Sequence, residues 1–439
     1  MSTPVAARAL LGALGIISLA ACKYPYPGDP IDADERDGAG ACQPRTTACM
    51  DDTLVVCDAD GHPSSTTACG FGCLPNGSRC ADLAPSNGLA MYLDQAGAAA
   101  PVVLTGSVDI DTDAVTINGS AIAAQTAIVP SAPVDILVII AGSFEVTDVV
   151  AHGSRALAIV SNGDVRLHGL LSVSARHQVP GAGAAEVNDP SCTARRGSFS
   201  GMGYGGGGGG GFGTAGGRGG SGGGLQGGPR GESAGTEAIA PLRGGCPGAQ
   251  VSGLRPADPA AQHGGAGGGA LQISTRGRII LDATARIAAV GGGAKGIDNA
   301  NMPCPYTFGD STACDAGSGG GAGGAILLEA ATLEMSVAAG LIANGGAGTC
   351  GWHGLAPDGT LSENAAQGPS CTGLAGVGDG GDGGAGAIAG FNGSDGTTNG
   401  GGGGGGTGRI RINLPSRVVF DPGPPIVSPV PSLGTVSTR

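Results

Sequence analysis

An internal repeat constrains the fold of this 439-residue chain more than any other feature of the sequence. Three copies begin at residues 156, 270 and 325, a truncated copy covers 408–414, and a divergent one covers 136–150. Within each copy an aliphatic residue recurs at every second position, which predicts short strands with one apolar face each. A copy of about 20 residues cannot bury such a face alone, but copies stacked by parallel strand pairing can. The sequence therefore predicts an all-β chain of stacked turns.

The copies align residue by residue, which predicts the pairing of their strands. Between the first two copies the alignment needs no gap and matches Leu157 with Leu271, Ile159 with Ile273, Gly163 with Gly277, Val165 with Ile279, Leu167 with Leu281, and Val173 with Ile287. In the third copy Ile326 and Leu328 take the first two places, and a one-residue deletion precedes Leu333. Upstream, residues 102–117 predict another strand pair.

This pattern resembles the right-handed parallel β-helix of pectin-lyase-like proteins over residues 100–180, 265–292, 320–346 and 400–420. The resemblance implies a β-solenoid across residues 100–420. Another β-solenoid with a small core, or a jelly-roll-like sandwich, would give similar alternation, and both stay open as alternatives.

Three glycine-rich inserts separate the copies, at residues 176–269, 291–324 and 345–407. Each insert holds two cysteines, so we predict that each closes on itself through the pairs Cys192 with Cys246, Cys304 with Cys314, and Cys350 with Cys371. All three inserts leave the repeat at the same place and are expected to stack on one side. Their polyglycine runs either pack closely as extended helices or form flexible loops.

The first residues are typical of an export signal. Arg8 precedes the apolar run 9–19, which is too short to span a bilayer. The sequence Leu19-Ala20-Ala21-Cys22 resembles the lipobox of bacterial lipoproteins. The resemblance implies cleavage of residues 1–21 and acyl chains on Cys22. Because Lys23 stands where the family's inner-membrane retention signal has aspartate, it also implies sorting to the outer membrane or cell surface.

An acidic, proline-rich tether (22–41) and a cysteine-rich module (42–82) follow. The module's cysteines are Cys42, Cys49, Cys57, Cys69, Cys73 and Cys80. A segment this short with few large apolar residues needs covalent staples, so we predict three disulfides among fifteen possible pairings. Zinc is the alternative, although no repeated CxxC pair is present. Residues 83–99 are interpreted as a linker and 421–439 as a proline-rich tail.

Composition limits the classes of function. Glycine and proline supply 91 and 28 residues, yet 41% of the chain is hydrophobic and only 13% charged, which favours tight β packing over disorder. The net charge of −13 argues against nucleic-acid binding, because the sequence has no basic patch that could neutralise phosphates. The polyglycine regions also resemble the PGRS class of surface proteins, although that class's helical N-terminal domain has no counterpart here.

Convergent catalytic groups are scarce in the sequence, and we predict no catalytic residue, metal or cofactor. The segment 378–384 resembles the calcium-binding RTX repeat but lacks tandem copies, and Asp109, Asp111 and Asp113 alternate on one strand as calcium-binding acids of pectate-lyase-like enzymes would. Solvated charges are the simpler interpretation.

The sequence therefore predicts a lipid-anchored surface protein with a structural, adhesive or matrix-binding role. Its expected partners are the membrane, through the anchor, and extracellular polysaccharide or envelope proteins. A polysaccharide lyase or glycoside hydrolase is the alternative, and ice or surface-water binding by a polyglycine bundle is a weaker one.

Overall fold

The computed structural model describes residues 42–50, 52–200, 203–250, 264–296, 306–308, 311–313, 316–351, 354–371, 376–420 and 425–439. Across these ranges the protein is essentially all-β, with parallel sheets, disulfides near the N-terminus and one short helix, α1 (Ala90–Ala96). The strands in chain order are β1 (Thr47–Met50), β2 (Thr53–Cys57), β3 (Pro63–Ala68), β4 (Val102–Asp111), β5 (Thr116–Ile117), β6 (Ser120–Ala121), β7 (Gln125–Val129), β8 (Ile136–Ala141), β9 (Phe144–His152), β10 (Ala156–Ser161), β11 (Val165–Leu167), β12 (Leu170–Ser172), β13 (Phe199–Ser200), β14 (Gly203–Tyr204), β15 (Ala270–Thr275), β16 (Arg278–Leu281), β17 (Arg286–Ala288), β18 (Tyr306–Phe308), β19 (Ser311–Ala313), β20 (Ala325–Glu329), β21 (Thr332–Met335), β22 (Gly340–Ile342), β23 (Arg409–Leu414), β24 (Ile426–Ser428) and β25 (Ser432–Thr435).

The first strands of the repeat copies form one parallel ladder, the first ladder, in the order β8, β10, β15, β20, β23 and β25. The second strands, β9, β11, β16 and β21, form the second ladder. The third strands continue from the end of β9 through β12, β17, β22 and β24 as the third ladder. At the beginning, β4 pairs with the whole of β9, and β7 pairs antiparallel with β8. The copies therefore lie one upon another.

The predicted register is confirmed for the first two ladders and is wrong in one place. Leu157 pairs with Leu271 and Leu167 pairs with Leu281, as the alignment of the repeat copies predicts. In the third ladder, however, Ile287 lies opposite Leu171 and not opposite Val173. The cause is turn length: two residues join β11 to β12, whereas four join β16 to β17. The third copy has the same four-residue turn, so its predicted register holds throughout.

The interior of the stack is a column of small and aliphatic side chains. Its rows include Leu137, Leu157, Leu271, Ile326 and Ile410, one from each successive turn, all at most 2% exposed. Each of these side chains packs on the equivalent side chain of the neighbouring turn. The same inward position is therefore buried in every turn.

Strands β8, β10, β15 and β20 of the first ladder are buried on both faces, which corrects the expectation of one apolar face per strand. The outward residues Ile136, Val138 and Ile140 of β8 pack against Leu89 and Leu93 of α1 and its neighbours. Leu89, the N-cap residue that precedes α1, lies on the same side as Leu93 and Ala96 of the helix, and all three side chains are fully buried. The segment interpreted as a linker thus covers the first ladder.

The segment interpreted as a tail also contributes to the stack. Strands β24 and β25 extend the third and first ladders by one turn. The cysteine-rich module forms the antiparallel sheet β1–β2–β3 and contacts the stack through Arg417, which pairs with Asp52 and donates to the Gly70 carbonyl. Both chain ends of the described structure therefore pack against the repeat.

Candidate functional site

The glycine-rich inserts pack into one body, the polyglycine bundle. Each insert follows a third-ladder strand and precedes a first-ladder strand, so all emerge at the same corner of the stack. The central segment, residues 400–406, has six neighbours at backbone N···O distances of 2.7–3.0 Å. It donates to segments 204–210, 346–349 and 391–394 and accepts from segments 217–220, 317–323 and 378–384.

The donors of this segment point to three neighbours in rotation. Gly400, Gly403 and Gly406 donate to the first neighbour, Gly401 and Gly404 to the second, and Gly402 and Gly405 to the third. A period of three is that of the extended polyproline-II helix, which has no internal hydrogen bonds and so leaves every N–H for a neighbour. Of the two interpretations of the polyglycine runs, closely packed extended helices rather than flexible loops therefore describe residues 400–406.

Side chains have no space inside the bundle. A Cβ added to Gly404 would lie 1.8 Å from the Asp382 carbonyl oxygen, and one added to Gly209 would lie 1.9 Å from the Gly404 oxygen. The run of glycine is therefore a packing requirement.

Polar side chains satisfy the N–H groups at the rim of the bundle, where a neighbouring segment is missing. The Asp379 carboxylate accepts from the Cys371 N–H at 2.6 Å, and the Asp382 carboxylate accepts from the Gly368 N–H at 2.6 Å. Asn392 and Asp395 accept in the same way from two further backbone groups. The two aspartates of the RTX-like segment thus have structural partners, and this arrangement favours the rim role over calcium binding.

Within the described residues, each cysteine pair of the inserts joins within one insert. Cys192 bonds to Cys246 and Cys350 bonds to Cys371, the pairing expected from the sequence. The pair Cys304 and Cys314 lies outside the described residues. A buried ion pair stands beside the first disulfide: Arg243 Nη2 lies 3.3 Å from Asp189 Oδ2 and 3.8 Å from each sulfur.

The six cysteines of the N-terminal module form Cys42–Cys57, Cys49–Cys73 and Cys69–Cys80 disulfides. The sulfurs of Cys49, Cys69 and Cys73 lie within 4.8 Å of one another, and they are the one candidate group of metal ligands among the described residues. Because all three sulfurs are in disulfides, Cys49 with Cys73 and Cys69 with Cys80, they are not thiolates, and the arrangement favours staples over zinc.

The outer face of the second ladder carries a histidine between two carboxylates. His168 Nδ1 lies 2.6 Å from Asp282, and His168 Nε2 lies 2.6 Å from Glu145. Arg166 also contacts Asp282 at 3.2 Å, and its hydrogen bond is the main reason that the pKa of Asp282 lies below its usual range. An imidazolium can donate to both carboxylates at once, whereas neutral imidazole donates to only one. We call Glu145, Arg166, His168 and Asp282 the histidine cluster.

A second ionic group continues along the same face. Arg278 contacts Asp164 and, at 3.2 Å, Glu334. The hydrogen bond from Arg278 lowers the pKa of Asp164, with a smaller contribution from the charge of Arg166. Four acids and three bases therefore line the face, each of them in contact with an opposite charge or with His168.

The acids Asp109, Asp111 and Asp113 have local partners. His152 lies 3.2 Å from Asp109, the Asp111 carboxylate accepts from the Asp113 and Ala114 N–H groups, and Asp113 accepts from Ser154. The backbone hydrogen bond from Ala114 is the largest contribution that lowers the pKa of Asp111. This arrangement is that of a solvated strand and turn.

Sequence reasoning missed Glu329, a buried carboxylate at the end of β20. It is 1% exposed and accepts from the Ser86 N–H and hydroxyl, from Gln272, from Ser274 and from Asn413. All of these donors are neutral, so hydrogen bonds alone satisfy the buried carboxyl group. The sequence does contain one indication of this buried carboxylate, because Glu329 directly follows the apolar run 325–328.

A second missed group joins the two ends of the described chain. Arg276 contacts Asp82 at 2.6 Å and Asp94 at 3.1 Å, and Arg439 also contacts both acids. Burial raises the pKa of Asp82, but hydrogen bonds from Arg276 and Arg439 outweigh it and the net pKa is lowered.

A cavity of about 1050 Å³ lies at the base of the first insert. Glu186, Asn188 and Arg195 are among its polar lining residues. Arg195 is engaged with the carbonyls of Cys192 and Ala194, and the buried Asp189 is paired with Arg243.

Comparisons with known proteins identify no relative. No protein-family model matches the chain, and neither a curated protein nor a solved structure matches it. None of the helices in the described ranges is both long and apolar enough to cross a membrane. The predicted lipidation site, Cys22, lies outside the described residues.

Proposed function

We propose that the chain is an exported, lipid-anchored surface protein with a structural or adhesive role, built on a right-handed β-solenoid. The ladders support the solenoid: three parallel strands per turn stack over successive copies. The disulfides among the described residues are consistent with an oxidising compartment, because cytosolic proteins keep thiols reduced. The lipobox-like sequence at Cys22 supports the anchor.

The observation that carries the proposed role is the polyglycine bundle. Its core segment spends every backbone hydrogen bond on neighbours, and its rim is closed by side chains. A body held together in this way offers a rigid surface whose backbone groups are largely bonded to one another. These properties suit contact with a matrix or envelope layer better than they suit turnover of a substrate.

The anchor is tested by metabolic labelling with an alkyne fatty acid and by membrane fractionation. We expect the native chain to incorporate label and sediment with membranes, whereas Cys22→Ser does neither. Tyr24→Phe is the matched control, because it changes a residue two positions away and leaves the proposed acylation site, Cys22, in place. Labelling of Cys22→Ser at the native level would contradict the anchor.

The adhesive role is tested by binding of the purified Cys22→Ser chain to immobilised envelope polysaccharide and to intact cells. We expect saturable binding that persists when Glu145→Gln and His168→Asn are introduced, since the role assigns no chemistry to them. Failure to bind any such surface would contradict adhesion while leaving the anchor unaffected.

The histidine cluster favours one alternative, a polysaccharide lyase or glycoside hydrolase. Glu145, His168 and Asp282 join acid and base groups on the outer face of a parallel ladder, as general acid–base chemistry requires. The discriminating experiment incubates the protein with uronate and neutral polysaccharides and measures unsaturated ends and reducing ends. Activity lost in both Glu145→Gln and Asp282→Asn, but retained in Glu334→Gln, would establish the enzyme and displace the structural role.

A further inference from the structure

The two ends of the stack differ in how they are closed. At the beginning, β7 runs antiparallel along β8, and the β5–β6 hairpin continues from β4. At the other end, β24 and β25 are the last strands of their ladders. Residues 82–84 pair antiparallel with the continuation of β25 at 437–439, and no described residue pairs with the outer edge of Ser432–Thr435 itself. An unpaired edge presents free N–H and C=O groups to any strand that approaches it.

The interior column is also open at this end. Leu433 pairs with Ile412 and so stands in the inward row, where the equivalent residues Ile139, Ile159 and Ile273 are completely buried. Leu433 is nevertheless 56% exposed, and nearby Val430 is 75% exposed. An inward position left exposed marks an end of the stack that no further described turn covers.

Charge decides what can cover this edge. Residues 422–438 contain no charged side chain, although the chain carries a net charge of −13. Edges that proteins protect against association usually carry lysine or another charge, and this one does not. In a twofold pair Ser432–Thr435 meets the same neutral strand in antiparallel orientation, and the Arg411 guanidinium, which lies over Gly434, belongs to the adjacent strand β23.

The chain's own N-terminal tether fits less well. Residues 22–41 contain three prolines at positions 25, 27 and 30, which cannot donate to a ladder, and five acids at positions 29, 32, 34, 35 and 37. We therefore infer that β25 is a self-association edge, through which two copies of this chain pair end to end.

The experiment uses the full chain with Cys22→Ser, so that acyl chains contribute nothing to association. Sedimentation velocity over a concentration series measures the dimer, and hydrogen exchange measures protection of the amides of residues 432–435. We expect a concentration-dependent dimer in which these amides become protected. Leu433→Lys should weaken the dimer at least about tenfold, because it brings an unpaired charge into the contact.

Val187→Lys is the matched control, since Val187 is 78% exposed on the first insert and distant in sequence from the edge. It should leave the dimer unchanged, and circular dichroism verifies that both variants fold. A monomer at all concentrations, or a dimer that Leu433→Lys leaves intact, overturns the inference. Amides 432–435 protected equally at every dilution would also overturn it, because another segment of the same chain would then cover the edge.

Discussion

Gly404 offers the sharpest test of the polyglycine bundle. In Gly404→Ala the new Cβ would lie 1.8 Å from the Asp382 oxygen, and 3.4 Å is the beginning of ordinary contact. The segment would have to retreat by about 1.6 Å, but it has neighbours on all sides and no free direction of movement. The retreat would stretch the bonds from Gly404 to the Phe391 oxygen and from Gly217 to the Gly404 oxygen.

The expected magnitude follows from these two effects. Overpacking costs about 1–3 kcal/mol and one unmade buried hydrogen bond about 1–3 kcal/mol, so we expect a loss of roughly 2–6 kcal/mol. Gly224→Ala is the control: Gly224 has φ +79° and no atom within 4 Å of an added Cβ. Its left-handed backbone limits the cost to about 1–2 kcal/mol.

The assay is equilibrium unfolding in urea, monitored by circular dichroism. The free energies of unfolding of the two variants are compared if the slope m against urea concentration is the same for both. If Gly404→Ala were no more destabilised than Gly224→Ala, the inserts would not pack as described, and the bundle would be a set of loops.

Three further outcomes follow from other parts of the structure. Glu329→Gln should cost roughly 2–4 kcal/mol in the same urea assay, because its amide nitrogen would face donors where a carboxylate now accepts. Asp82 has a lowered pKa in the folded state, so its contribution to stability is present above its unfolded pKa of about 3.9 and is lost as the pH falls through the folded value. Arg276→Gln should therefore destabilise the protein at neutral pH and reduce the loss of stability that occurs as the pH falls. Unfolding titrations over a pH series measure both effects. Replacing Cys192 and Cys246 together by alanine opens a loop of sequence separation 54 and should cost about 4 kcal/mol, and an unchanged melting curve would contradict this.

Much of the stack could be predicted because its signal is periodic. The spacing of Leu157, Leu271 and Ile326 alone gives the first-ladder register, since a slip of one residue would turn every aliphatic side chain outward. The third ladder was misaligned by two residues because turn length leaves no mark on the alternation. The second buried face of β8 was visible as the uninterrupted run Ile136–Ala141, which is typical of strands covered on both sides.

The groups that hold distant segments together could not be predicted. Glu329 meets Ser86, 243 residues away, and Arg276 meets Asp82, 194 residues away. Such contacts depend on how turns and covering segments pack, and a single sequence contains no pattern that links them. For the same reason, the histidine cluster, which joins Glu145 to Asp282 through His168, became visible only in the folded chain.

The threefold rotation of donors in segment 400–406 restricts how the glycine runs can change in length. Removing one glycine would turn each later N–H by a third of a revolution, away from its acceptor and towards a different neighbour. Removing three would restore every direction and shorten the segment by roughly 9 Å. The bundle should therefore tolerate gains and losses of whole triplets of residues, and reject the intermediate lengths.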